Sequence, residues 1–80
     1  MMNHPNLQVH ENFRVATLSQ REREVLALVS EGLTAKEIAN TLHIAPKTAG
    51  THMRRIYEKL GVNKAVVAMR VAIRCGLVAA

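Results

Sequence analysis

Between Thr34 and Leu60 the chain reads TAKEIANTLHIAPKTAGTHMRRIYEKL, and its apolar residues recur at helical spacing. Thr34-Ala35-Lys36-Glu37 opens a short helix with a capping box, and Ile38, Ala39 and Leu42 mark its inward side. His43-Ile44-Ala45 makes a turn, with Ile44 as an apolar plug into the core. Pro46 suits the first turn of a second helix, where a missing N–H costs little. Ala49, Met53, Ile56 and Leu60 then lie within about 60° of one another around the helix, a narrow stripe for burial. The opposite side carries Lys47, Thr51, Arg54 and Glu58; one flank carries Thr48, His52, Arg55 and Lys59. Gly61 ends the helix.

The flanking pattern adds two more helices. Ser19-Gln20-Arg21-Glu22 repeats the capping box, Val25, Leu26, Leu28 and Val29 supply an apolar side, and Gly32 closes that helix. Lys64 to Arg74 is apolar nearly all round, which predicts burial on more than one side. In a domain this small a second burying surface usually belongs to another subunit. Gly76 caps this last helix, and Leu77-Val78 return to the core. Residues 1–17 are polar and weakly patterned, and read as an N-terminal tail or linker. Leu7, Val9, Phe13 and Val15 would let part of it pack on the domain. The expected architecture is therefore all-α, a four-helix bundle over residues 18–80 with a helix-turn-helix at about 34–60. In that motif the second helix, about 46–60, enters the DNA major groove.

Composition sharpens this picture. Eighty residues hold one small core, and with only Phe13 and Tyr57 as aromatics that core is aliphatic. No room remains for an enzyme cleft of ordinary size, and the absence of Asp removes any Ser/His/Asp site. The formal charge is +5. Residues 43–64 carry five basic side chains against Glu58 alone, a local excess of +4, whereas residues 1–42 carry four against five. Basic charge concentrated on one helix attracts phosphate backbones; a plain solvated face is the alternative. The lone Cys75 excludes an internal disulfide and fits a reducing cytoplasm. There is no signal-like or membrane-spanning apolar run, so no membrane association is expected. His43 and His52 are poorly spaced as metal ligands, and no metal or cofactor is expected.

Lys47, Thr51 and Arg54 share one face and are the candidates for reading base edges. Arginine can meet guanine bidentately, and the threonine methyl can meet a thymine methyl. A phosphate contact is the alternative for Lys47 and Arg54. Thr48, His52, Arg55 and Lys59 are placed for phosphate contacts that position the helix. For His52 a structural hydrogen bond is an equal alternative, and Arg55 and Lys59 could be plain solvated charges.

From Leu18 to Val78 the chain resembles the LuxR/FixJ-type (GerE-like) DNA-binding domain of bacterial transcription regulators. The residues that carry the resemblance are Leu18-Ser19, Arg21 to Leu26, Glu31-Gly32-Leu33, Lys36 to Ala39, Leu42, Ile44, Thr48, His52, Ile56, Lys59 to Val62, Ala68 and Gly76-Leu77. The resemblance implies four helices, recognition by the third and dimer contact by the fourth, with no enzymatic activity and no metal. It implies double-stranded DNA as partner and a homodimer through the last helix, for which Val67, Val71 and Arg74 are the candidate contacts. Such domains often form part of a larger regulator, such as a response regulator. Further partners would be a larger LuxR-type regulator or RNA polymerase. The chain departs from the pattern at Ala45, where the family usually caps with Ser, and at Ala49-Gly50, where it often has Val-Lys. Ala65 and Val67 replace the usual Arg and Glu, which makes the last helix more apolar. These departures motivate a different reading, a protein-interaction module that heterodimerises with a larger LuxR-type regulator and antagonises it.

Overall fold

The computed structural model describes residues 5–78, with side chains from His10 onward. Those residues form five helices and no strand: α1 (Pro5–Ala16), α2 (Gln20–Ser30), α3 (Ala35–Leu42), α4 (Pro46–Leu60) and α5 (Ala65–Arg74). The last four lie where the apolar spacing and the caps place them. Both capping boxes form. Ser19 Oγ accepts from the Glu22 N–H at 3.0 Å, and Glu22 Oε1 accepts from the Ser19 N–H at 2.8 Å. Thr34 and Glu37 repeat the exchange at 3.2 and 2.8 Å. Each box satisfies backbone donors that the first helical turn leaves unpaired.

α1 is the element that sequence patterning did not anticipate. It occupies most of the segment read as tail or linker. Within it Val15 is buried, Phe13 is exposed, and the Leu7 and Val9 side chains fall outside the described residues. Long-range contacts anchor this helix. Arg14 Nη1 donates to the Leu60 carbonyl at 3.1 Å, Arg23 Nη2 donates to the Val15 carbonyl at 3.2 Å, and Glu11 pairs with Arg74. Tertiary partners of this kind override weak local periodicity.

The core is aliphatic. Val25, Leu26, Ile38 and Ile56 are its largest fully buried side chains, each contributing about 1.5–3 kcal/mol by leaving water. Small residues set the close approaches. Buried Ala39 and Ala49 belong to α3 and α4, which pack on one another, and buried Ala68 and Ala72 belong to α5, which packs on α2. Ile44, Met53, Leu77 and Val78 pack half-buried around this centre. α5 is thus covered by α2 and α4, and α1 also reaches it. Part of its cover comes from α1 of the same chain, while Val66 stays exposed.

The turn between α3 and α4 fixes how the two helices meet. His43 adopts the left-handed conformation, φ 58°, and the Ile44 N–H closes back onto the Ala39 carbonyl at 3.0 Å. Histidine is among the side chains that enter this region more readily than most. The chain then turns sharply enough for α4 to start at Pro46 against α3.

Candidate nucleic-acid interface

The buried stripe of α4 is Ala49, Ile56 and Leu60 with half-buried Met53, as its spacing predicts. That stripe fixes the roll of the helix and hence what faces outward. Lys47, Thr48, Arg54, Arg55 and Glu58 are exposed; Gly50, Thr51 and His52 are half-buried. Lys47, Arg54 and Arg55 make no ion pair or side-chain hydrogen bond among the described residues. Thr51 Oγ1 donates to the Lys47 carbonyl at 3.1 Å, which orients its methyl group relative to the helix.

Electrostatics at the start of α4 favour an anion. α2 and α3 begin with an acidic residue and a side-chain cap, whereas α4 has no acidic residue in its first turn and no side-chain cap at Ala45. Its first-turn N–H groups and the positive end of its dipole therefore lie beside Lys47 without a local negative charge.

Lys59 behaves differently from the other basic residues of α4. Its Nζ lies 2.8 Å from Glu22 Oε1 and 3.4 Å from the Thr17 carbonyl. Glu22 is only 4% exposed. Burial pushes the Glu22 carboxyl up, but hydrogen bonds from Lys59 and Ser19 outweigh it and hold the group below the ordinary carboxylate value. Lys59 thus ties the end of α4 to the start of α2. Nothing in the spacing of residues 22 and 59 along the chain signals that they meet.

His52 sits beside the core with its Nδ1 buried and without a hydrogen-bond partner among the described residues. Lys36, in the first turn of α3, is a further exposed cation without an ion-pair partner on the two-helix unit, and its place in the Lys36–Ala39 motif was the available signal.

The candidate pairing residues of α5 form one stripe. Val71 is buried within the chain, Val67 is half-buried, and Arg74 engages Glu11 of α1. Among the described residues no three potential ligands converge as a metal site, and no helix is long and apolar enough to cross a membrane.

With two helices joined by a tight turn and a basic outer face on the second, the arrangement is that of a helix-turn-helix. A model of the bacterial regulatory proteins of the luxR family matches residues 16–72, well over half of the chain. The chain belongs to the luxR family. It is a DNA-binding helix-turn-helix protein of the transcription-regulator kind. The luxR match begins at the last residue of α1, so most of that helix lies outside it.

Proposed function

We propose that α4 lies in the major groove of duplex DNA and recognises a specific sequence. Lys47, Thr51 and Arg54 meet base edges, while Thr48, His52 and Arg55 hold phosphates. Lys59 contributes to positioning by bracing α4 against α2 and adds little direct phosphate contact. Two copies pair through Val67, Val71 and Arg74 of α5. Their recognition helices then enter successive major grooves about 34 Å apart on a two-fold site. In this reading the chain acts in the cytoplasm as a regulator, or as the DNA-binding part of a response regulator, with RNA polymerase as a further partner.

The observation that carries the reading is the set of exposed cations on α4, Lys47, Arg54 and Arg55, none of which forms an ion pair among the described residues. Titration against random duplex DNA at several salt concentrations tests it. Log affinity should fall linearly with log salt, with a slope of about −0.9 per phosphate contacted. A second reading, an interaction module that heterodimerises with a larger LuxR-type regulator, draws support from the uncapped start of α4 and from Gly50 within it. Absence of DNA binding even at low salt, together with a mobility shift on mixing with such a regulator, would favour it.

A further inference from the structure

The stripe of α5 that pairing would use faces α1. Arg74 Nε and Nη2 lie 2.8 and 2.6 Å from the two Glu11 carboxylate oxygens, a bidentate pair between the two helices. Arg14 adds a bond to the last carbonyl of α4. Val71 is left only 3% exposed. Yet the seam is not filled. A groove of about 470 Å³, half open to solvent, lies where α1, the end of α4 with the turn after it, and the Val67–Arg74 side of α5 come together.

The way α1 is held matters. Of its described apolar side chains, Val15 alone is buried, and Phe13 is 73% exposed. Among the described residues, the contact of α1 with α5 is made by the polar Glu11–Arg74 pair beside a half-open groove. Such a contact opens at lower cost than a close-packed one, because fewer dispersion contacts are lost and water replaces the polar partners. Beyond the edge of this cover the apolar surface of α5 continues through exposed Val66 and half-buried Met69 and Ile73.

We propose that α1 is an intramolecular cover on the pairing face of α5, and that a second copy of the chain competes with it for the Val67–Val71–Arg74 stripe. The proposal rests on the α5 pairing described under the proposed function. A two-fold pair brings each stripe against its own copy. The stripe is one helix face wide, so α1 and the second copy exclude one another. Arg74 must then release Glu11 before two copies can meet. Self-association is weakened by the fraction of chains in which α1 is docked.

The test is sedimentation equilibrium of the full chain, from micromolar to submillimolar concentration, with hydrogen exchange of the α1 amides as a second readout. Glu11→Lys removes the pair and sets two cations together. It should tighten dimerisation about tenfold or more by raising the uncovered fraction. Glu11→Gln should move it the same way by less. The α1 amides of the unmodified chain should lose protection as the dimer fills. Adding Val67→Glu should return each chain to a monomer. If Glu11→Lys and the unmodified chain dimerise equally, or if α1 stays protected in the dimer, the cover is overturned while α5 pairing stands. If Val67→Glu leaves association untouched, or if Glu11→Lys frees α1 and no dimer forms, α5 pairing itself fails. If Glu11→Lys leaves α1 fully protected, the Glu11–Arg74 pair is not the latch.

Discussion

The outer face of α4 and the seam where α1 meets α2, α5 and the end of α4 both hold basic side chains, and the two regions use them differently. At the seam each cation has an acceptor: Arg14 the Leu60 carbonyl, Arg23 the Val15 carbonyl, Lys59 the Glu22 carboxylate and Arg74 the Glu11 carboxylate. On α4, Lys47, Arg54 and Arg55 project without such partners. Formal charge alone does not separate the two groups. What separates them is whether an acceptor is engaged among the described residues. A cation that holds a buried carboxylate contributes to the fold; one without a neighbour keeps its field for a polyanion.

The largest expected effect sharpens that contrast on the DNA side. Arg54→Ala with Arg55→Ala should weaken duplex binding by about 2 kcal/mol or more and flatten the salt slope by about 2. Fluorescence anisotropy across a salt series reads both. Arg21→Ala should leave both unchanged, because Arg21 pairs with exposed Glu24 on α2. Equal losses from the two changes would mean that α4 is not the binding face.

The seam is probed next through Glu22. Glu22→Ala removes the acceptor of both the capping box and Lys59, and should cost about 1–3 kcal/mol in urea unfolding. Lys59→Gln should cost about 1 kcal/mol while keeping the salt slope, since the Lys59 ammonium is held by Glu22. A drop in salt slope matching that of Arg55→Ala would break the distinction between the two regions.

Acid should act on the seam as well. Glu11 and Glu22 both sit below the ordinary carboxyl value of 4.5. For Glu11 the hydrogen bond from Arg74 is the main cause and outweighs burial. A carboxyl depressed in the folded chain takes up its proton first in the unfolded one. The stabilisation is therefore present above 4.5 and lost as pH falls through the lower folded values. The urea midpoint should decline over that range, and Glu22→Gln should flatten the decline. A decline of unchanged steepness in Glu22→Gln would remove Glu22 as its source.

The smallest effect concerns Gly50. A Cβ there meets nothing within 4 Å. Gly50→Ala should raise stability by about 0.5–1 kcal/mol, read as a higher melting temperature, with DNA affinity little changed. Gly50→Lys should steepen the salt slope by about 0.9 if this flank of α4 approaches phosphate.

Much of this was legible along the chain. The two capping boxes, the 49–53–56–60 stripe and the glycines after α2 and α4 predicted four helices, and the resemblance carried the regulatory kind. The stripe also predicted that Lys47, Arg54 and Glu58 face outward, because burying one side of a helix exposes the other, although Thr51 on that side is half-buried. Three features were not legible. Along the chain Lys59 reads as a phosphate contact or a solvated charge, and no spacing signals its carboxylate partner 37 residues away on α2. For His52 the sequence leaves two roles open, and only the packing shows its Nδ1 buried without a partner among the described residues. The apolar α5 predicts burial on more than one side, and nothing in the spacing along the chain indicates that α1 reaches it.

By itself, then, the sequence determined the elements, the roll of α4 and the chemical class of its outer face. Periodicity and caps are local, and they act over one or two turns. The tertiary structure decided which charges remain available and what covers α5. Those outcomes depend on which distant groups come within hydrogen-bond reach once the core has closed. Glu11 with Arg74 and Glu22 with Lys59 are such meetings, and no spacing along the chain encodes either of them.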